Sequence, residues 1–292
     1  MNNNEQIPRK LISRRNFLRW SIGAGGALVL GAAGSLANAE RRRRLALESN
    51  AEPLAEALAV PGSPHVQPSG QSTIRLGATD GHMRLPANPA DYPGGVREVY
   101  VFGFVDIGNT TASINEFINT FKGQVQQTAP IIDVMEGDEV FVTLTNLGLV
   151  VRPDLDDAHT IHWHGFRNPV AAFDGVPETS ISVPVGRNFP YYYKPLNPGT
   201  FMYHCHFEDT EHVQMGMDGI VFVRPLQNFG TGSLPPGNYL YNDGDGSTAY
   251  DREYALLLNE IDTRPHDLLE NVQEFIWSDY DPNYFVINGR AY

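Results

Sequence analysis

The sequence predicts an all-β protein built on a Greek-key β-sandwich. About seven short runs of β-forming residues follow one another between residues 99 and 223, separated by turn signals such as Glu136-Gly137-Asp138. Gly and Pro are frequent, at 28 and 21 of 292 residues, as a fold with many turns requires. No helical periodicity interrupts this region. The predicted strands are Val99–Val105, Ile131–Met135, Glu139–Leu144, Thr160–Trp163, Ser180–Val185, Thr200–His204 and Gly219–Val223.

Composition shifts divide the chain into five predicted segments. Residues 1–39 form a signal peptide, residues 40–94 an irregular extension and residues 95–226 the sandwich. Residues 227–250 are a Gly- and Pro-rich linker. Residues 251–292 contain two more predicted strands, at Glu253–Leu258 and Tyr284–Ile287, and are predicted to begin a second sandwich. A complete one needs about 100 residues, so we expect the chain to be truncated at its C-terminus.

The N-terminus carries an export pattern. Arg14 and Arg15 form a twin-arginine pair before a weakly apolar, Gly-rich stretch, which ends in the A-x-A cleavage pattern of residues 37–39. The sequence therefore predicts export by the twin-arginine route, cleavage after Ala39, and a periplasmic or extracellular location. The alternative is an uncleaved membrane anchor, which normally needs about 20 strongly apolar residues.

Charge and cysteine content exclude two classes of protein. The formal net charge is −13, which disfavours a nucleic-acid partner. A single cysteine, Cys205, excludes a disulfide framework within the chain.

Six of the nine histidines fall in two tight clusters around this cysteine. The first cluster is H-T-I-H-W-H at residues 159–164, and the second is H-C-H at residues 204–206, followed by His212 and Met217. Packing alone does not explain six histidines within 54 residues. The remaining three, His65, His82 and His266, are isolated and are expected on the surface.

Strand geometry sorts these side chains into two groups, because alternate residues of a strand face opposite sides. The first group contains His159, Cys205, His212 and Met217. It offers two imidazoles, a thiolate and a thioether, the donors of a blue-copper electron-transfer site. Zinc is the alternative metal and Met215 the alternative thioether. The second group contains only imidazoles, which suit copper and zinc: His162, His164, His204 and His206.

The motifs His-x-x-His-x-His and Tyr-His-Cys-His, followed by His-x₄-Met, resemble the copper motifs of multicopper oxidases, the laccase-like family. The resemblance covers residues 95–225 and implies a cupredoxin domain. It implies type 1 copper at His159, Cys205, His212 and Met217. It further implies type 2 copper at His162, and a type 3 pair at His164, His204 and His206. The family has an acidic residue near the oxygen site, and the resemblance implies that Asp174 is this acid. The alternative is that Asp174 only forms a turn before Gly175.

This resemblance is strongest to two-domain oxidases that carry type 1 copper in the first domain. Six residues separate Cys205 from His212, more than in three-domain laccases. The two-domain enzymes are homotrimers in which each three-copper cluster is shared between neighbouring subunits. Such a cluster uses eight histidines, of which four are present here, so we expect this chain alone to be inactive.

The implied reaction is one-electron oxidation of phenols, aromatic amines or metal ions, coupled to reduction of O₂ to water. A copper nitrite reductase is the first alternative, although it lacks a histidine after the cysteine. A non-catalytic blue-copper electron carrier is the second. Copper content and oxygen uptake distinguish the three.

Overall fold

A computed structural model describes residues 71–108, 112–167 and 170–291. Two four-stranded sheets, ordered β2-β1-β4-β6 and β3-β8-β7-β5, accompany a two-stranded sheet of β9 and β10. The strands are β1 Gln71–Pro86, β2 Val96–Asp106, β3 Ile132–Met135, β4 Glu139–Asn146, β5 His162–His164, β6 Asn188–Tyr193, β7 Gly199–His204, β8 Asp218–Arg224, β9 Leu258–Ile261 and β10 Tyr284–Ile287. The α-helices are α1 Ile114–Phe121, α2 Asp209–Gln214 and α3 Thr263–Glu270. Short 3₁₀ turns occupy Pro93–Gly95, Ala171–Phe173, Leu226–Phe229 and Trp277–Asp279.

The two four-stranded sheets share one apolar core, which confirms the predicted all-β sandwich. Aromatic residues contribute much of it: Trp163 stacks on Tyr193 with ring centroids 4.2 Å apart. The hydroxyl of Tyr193 donates to the carbonyl of Ile161 at 2.6 Å and Tyr203 donates to Pro130 at 2.6 Å. These bonds satisfy buried phenols and hold the strands that carry the histidine clusters.

Strand β2 is buried on both faces, as its continuous apolar run from Val99 to Val105 predicts. Tyr100 faces the sandwich core, whereas Val99 and Val101 pack outward against Ile261 and Val286. The hairpin of β9 and β10 therefore covers an apolar surface that the sandwich leaves open.

Helix α3 packs beside this hairpin, and the two together form an outer layer on the sandwich. Polar contacts hold the helix in place. Nδ1 of His266 lies 2.6 Å from the carbonyl oxygen of Tyr100, and Arg97 donates to Thr263 at 2.8 Å and pairs with Asp267. Residues 251–291 thus pack on the first sandwich; that they begin a second cupredoxin domain stays a prediction. His266 is 1% exposed, so its expected surface position is wrong.

Three predicted stretches differ from the observed strands. The irregular extension expected over residues 40–94 is wrong from Gln71 to Pro86, where β1 pairs with both β2 and β4. Gly77 and Gly81 weaken the strand pattern in the sequence. Both are needed in the structure, because a Cβ at either position would come within 2.7 Å of a neighbouring side chain. Residues 180–185 form only an isolated bridge, between Val183 and His159. The strand predicted at Glu253–Leu258 is displaced along the chain, because the observed strand β9 begins only at Leu258.

Further elements escaped the sequence prediction, and the expectation that no helix interrupts the sandwich region is wrong, because α1 and α2 both lie within it. Strand β6 contains Pro190, which lacks the N–H that strand patterns assume. Helix α1 begins at a capping box: the Ser113 N–H donates to Glu116 Oε2 at 2.7 Å, and Ser113 Oγ accepts from the Glu116 N–H at 3.4 Å. The Ser-x-x-Glu spacing is the signal that predicts this helix.

The linker of residues 227–250 has little regular structure, as its composition predicts. The Asp243 carboxylate organises it by accepting bonds from the Thr248 N–H and hydroxyl, both at 2.6 Å, and from the Gln227 amide at 2.6 Å. At its start, Arg224 bonds to Asp133 and Glu253 at 2.6–2.9 Å, which ties the chain after the linker to β3. Within residues 71–108, 112–167 and 170–291, every helix is too short or too polar to cross a bilayer.

The buried imidazole of His266 makes stability depend on pH. Burial lowers the pKa of His266 to about 4; the hydrogen bond to the Tyr100 carbonyl and the charge of Asp262 raise the pKa by less, and Arg97 lowers it slightly further. The unfolded chain, with a pKa of about 6.5, therefore binds the proton first as pH falls, and stability is lost between pH 6.5 and 4. At pH 5 this histidine costs about 2 kcal/mol of the free energy of unfolding.

We expect His266→Gln to lose about 2 kcal/mol less stability than the parent between pH 7 and pH 5. Urea unfolding of both proteins, without added copper, measures the difference. Equal pH slopes for the two proteins would show that the folded chain accommodates a charged imidazole at this position.

Candidate metal centre

Strands β5 and β7 place the two histidine clusters side by side. They pair antiparallel, with His162 opposite His204 and His164 opposite Met202. Strand β7 ends at His204, and the next residue, Cys205, donates its N–H to the carbonyl of Met217 at 3.0 Å. The sulfur of Cys205 lies with the first group of side chains, whereas the rings of His204 and His206 stack on each other with centroids 5.5 Å apart in the second.

The first group of ligand atoms is fully buried. Nδ1 of His212 lies 3.4 Å from the sulfur of Cys205, and Nδ1 of His159 lies 3.9 Å from it. His159 is held in place by its bridge to Val183, with N–O distances of 2.8 and 3.1 Å. These three residues offer ligand atoms within 4.8 Å of one another.

The sulfur also accepts a contact from the N–H of Thr160 at 3.5 Å, as a thiolate favours. Met217 is 0% exposed and lies beside Cys205 through their backbone bond. Two imidazole nitrogens, a thiolate and a buried thioether suit copper better than zinc, which seldom accepts methionine.

Helix α2 explains the six residues between Cys205 and His212. It begins at Asp209, and its single turn and a half carries His212 back over the sulfur. Glu208, the residue before it, has a φ of 47°, a left-handed conformation that turns the chain into the helix. The longer loop therefore reaches the site as a helix.

Asp157 and Glu211 flank the outer edge of His212. Oδ2 of Asp157 lies 3.7 Å from its Nε2, a separation suited to ionic attraction. Burial alone would lower the pKa of His212, but Asp157 and Cys205 outweigh it and raise the pKa to about 10. Glu211 is half-buried, and burial raises its pKa. Sequence reasoning missed Asp157, because only the fold brings it to residue 212.

The second group of histidines lies on the other side of Cys205. Nδ1 of His164 is 3.3 Å from Nε2 of His204, and the ring centre of His162 lies 5.2 Å from that of His204. The ring of His206 joins them, 5.1 Å from His162. His204 is buried, His162 and His206 are half-buried and His164 is exposed, so this group opens to the surface.

Backbone carbonyls set the proton positions on two of these rings. Nδ1 of His162 lies 2.6 Å from the carbonyl of Asp174, and Nδ1 of His204 lies 2.8 Å from that of Cys205. A carbonyl only accepts, so each Nδ1 carries the proton and each Nε2 keeps a lone pair for a metal. Burial lowers the pKa of both rings, which keeps them neutral.

Asp174 contacts the second group directly. Its Oδ1 lies 3.7 Å from Nδ1 of His162, in addition to the bond from its carbonyl. It also ends a 3₁₀ turn before Gly175, whose φ is 80° and whose Cβ would come within 2.2 Å of Ile161 O. Asp174 therefore occupies the turn position before Gly175 and also lies beside His162 of the second group.

The structure brings together His159, Cys205 and His212 in one group and the four histidines in the other, whereas Met217 is linked to Cys205 through the backbone; the roles of all these residues as ligands stay predictions. His82 and His266 lie apart from both groups, and His65 falls outside the described residues. Met215 and Met217 are both 0% exposed, so burial does not distinguish them as thioether ligands.

Comparisons with known proteins show similarity to copper proteins. Residues 110–228 match the family model described as multicopper oxidase. The copper resistance protein A of Escherichia coli is 31% identical over 153 residues, which cover 52% of this chain and 20% of that protein. A copper-containing nitrite reductase of Neisseria meningitidis is 25% identical over 236 residues, covering 77% of this chain and 51% of that protein.

Among solved structures, the blue copper oxidase from Nitrosomonas europaea is similar, with a TM-score of 0.50 and 26% identity. The match covers 75% of this chain and 54% of that one. The chain thus spans about a fifth to about half of the relatives described here.

The fold and the two histidine groups define a cupredoxin domain of the copper-binding type. Residues 110–228 match the multicopper oxidase model, and this match together with the structural similarity confirms the resemblance drawn from the motifs. Copper is the cofactor that this family implies, and the soft, buried donors around Cys205 fit it.

The first group predicts a blue protein. With copper(II) bound we expect an intense visible absorption from thiolate-to-copper charge transfer, and Cys205→Ser should abolish it. Met217→Leu should keep the colour but raise the reduction potential by on the order of 100 mV, because loss of a weak donor favours the reduced metal. Absorption spectra and redox titration measure both effects.

Met215→Leu is the matched control, since Met215 is equally buried two residues away. It should change neither colour nor potential. A blue Cys205→Ser protein, or a potential that moves with Met215 instead of Met217, would contradict this ligand assignment.

Proposed function

We propose that this chain carries out the electron-transfer half of a copper oxidase and supplies part of the oxygen-reducing site. Electrons from a reducing substrate would arrive at the first group and leave through the second to O₂. One observation carries this proposal: Cys205 offers its sulfur to the first group, while its neighbours His204 and His206 belong to the second. Copper bound at both groups would supply one-electron redox chemistry.

The backbone around Cys205 provides the path between the groups. From the sulfur, a few covalent bonds lead to the ring of His204 in one direction and His206 in the other. The Met217 carbonyl fixes the N–H of Cys205, and the Thr160 hydroxyl accepts from the N–H of His206 at 2.9 Å. Two hydrogen bonds thus hold this short path rigid, which limits reorganisation as charge moves.

Electrons would enter beside His212. Its ring is 0% exposed, so a donor in solution meets Asp157 and Glu211 before it meets the imidazole. Two carboxylates there favour cationic or hydrogen-bonding donors, which agrees with metal ions, aromatic amines and phenols as substrate classes.

The second group supports a shared oxygen site. Its four histidines are half the number that the family resemblance implies, and they open to the surface. We propose that a second surface, in a homotrimer or in another domain, covers them with further histidines. A partner surface of this kind would also exclude water from the oxygen site.

Asp174 is proposed to move protons at this site. Its carboxylate is half-buried beside Nδ1 of His162, while its carbonyl accepts the proton of the same nitrogen. The carboxylate can therefore exchange protons with solvent on one side and face the oxygen site on the other.

A nitrite reductase is the second candidate function, because the Neisseria protein matches 77% of this chain. The position of His206 favours the oxidase: its ring stands among the other three histidines, 5.5 Å from His204. A reductase that needs one copper beyond type 1 has no use for this fourth ring. A simple electron carrier would need none of the second group.

Oxygen uptake tests the proposal. We expect the monomeric chain, expressed as residues 40–292 and loaded with copper, to bind about one copper tightly and to show negligible uptake with a phenol. In assemblies that supply further histidines, the rate of oxygen uptake should be higher by on the order of a hundredfold or more, because the oxygen site is then complete. Size-exclusion chromatography separates the species, and metal analysis and an oxygen electrode measure each.

His206→Ala is the informative variant, with His82→Ala as its control outside both groups. The first should keep the blue colour and lose oxygen uptake in the assembled form, and the second should lose neither. Laccase-like uptake by the monomer, or nitrite reduction without oxygen uptake in the assembly, would refute the oxidase proposal.

Export is proposed on the N-terminal pattern alone, since residues 1–70 lie outside the described structure. Secreted protein should begin at Glu40, after loss of the twin-arginine signal. Arg14→Lys with Arg15→Lys should hold the precursor inside the cell. N-terminal sequencing and fractionation test this, and membrane-bound protein with residues 1–39 intact would favour the anchor instead.

A further inference from the structure

A cavity of about 320 Å³ separates the sandwich from the outer layer. Residues 213–216, which link His212 to Met217, form one wall. Residues 258–261 and Val286 also line the cavity, as do Met83 and Val101 of the sandwich. None of the proposed electron-transfer steps uses it.

Three residues that line this cavity carry a buried polar atom without a partner. Within the described part of the chain, Nε2 of Gln127, Oδ1 of Asn259 and Nε2 of His266 make no hydrogen bond. Buried polar groups are normally satisfied, so three around one cavity point to something that binds there.

Neighbouring bonds define what each atom offers. Nδ1 of His266 faces the carbonyl of Tyr100 and must donate, so Nε2 of the neutral ring accepts. The amide nitrogen of Asn259 donates to Asp218 at 2.8 Å, which leaves its oxygen as an acceptor. Gln127 offers an N–H. The cavity therefore presents two acceptors and one donor, all uncharged.

The remaining walls restrict the ligand further. Met83, Met215, Ile261 and Val286 give apolar surface. Among the residues that the structure describes, Asp218 and Glu260 line the cavity but no lysine or arginine does, so an anion is disfavoured. A volume of this size accommodates one small ring.

We propose that this cavity binds an uncharged ring compound carrying two hydroxyl groups. The hydroxyls donate to His266 and Asn259, and one of them accepts from Gln127. The ring lies against the methionine and aliphatic side chains. This site is distinct from the region beside His212 where electrons are proposed to enter, and its occupancy does not depend on oxidase activity.

The test uses the copper-loaded chain and the isomeric 1,2-, 1,3- and 1,4-cyclohexanediols, which lack an easily oxidised phenol. Isothermal titration calorimetry should show saturable binding of one isomer at one site, with a dissociation constant on the order of 1 mM. The matching dimethoxycyclohexane keeps the ring but has no hydroxyl donors. We expect it to bind at least about tenfold more weakly.

Variants locate the site. Gln127→Met preserves the length of the side chain and removes its N–H, so binding should weaken about fivefold. Val286→Phe fills the cavity and should abolish binding. Phe285→Leu, on the same strand but 64% exposed, is the control and should bind as the parent does.

Three results would overturn the proposal. Binding of none of the diols at about ten times the expected dissociation constant would show that the cavity holds only water. Equal binding of diol and diether would show that the polar atoms take no part. Unchanged binding by both Gln127→Met and Val286→Phe would place the diol elsewhere on the protein.

Discussion

The hydrogen bond between the N–H of Cys205 and the carbonyl of Met217, 3.0 Å long, is the constraint on which the metal centre depends. It fixes the backbone at Cys205, whose sulfur belongs to the first group while the flanking imidazoles of His204 and His206 belong to the second. It also ties the backbone of Met217 to that of Cys205. Without this bond the chain after His204 could turn, and the two groups would lose their shared connection.

Backbone carbonyls also fix the protonation of three buried or half-buried histidines. Carbonyl oxygens bond to Nδ1 of His162 and His204, and a third carbonyl bonds to Nδ1 of His266. In each case the acceptor fixes the tautomer and directs the Nε2 lone pair away from the backbone. At the first two rings that lone pair suits a metal, whereas His266 lines the cavity and its Nε2 has no hydrogen-bond partner there. Burial keeps all three neutral by lowering the pKa.

The outer layer connects fold and site. Strand β2 is apolar on both faces, so it needs a cover on each side. The hairpin of β9 and β10, with α3, provides the second cover and places His266 against Tyr100. Tyr100 in turn donates to Asp80 at 2.9 Å, and Asp80 also accepts from the N–H groups of Val150 and Val151. Both oxygens of the buried Asp80 carboxylate therefore accept hydrogen bonds. Tyr100 connects this network in the sandwich to His266 of the outer layer.

The sequence by itself determined the all-β class and the division of the ligands into two groups, because both follow from the period-two alternation of strands. It also determined the copper-binding character of the domain, because a thiolate flanked by imidazoles is specific chemistry. Tertiary structure decided what local patterns do not encode. Strand β1 exists because neighbours on both sides pair with its glycine-rich backbone, and β6 exists despite Pro190 because β4 pairs with it. Asp157 reaches His212, and the outer layer encloses its cavity, through contacts between residues far apart in the chain.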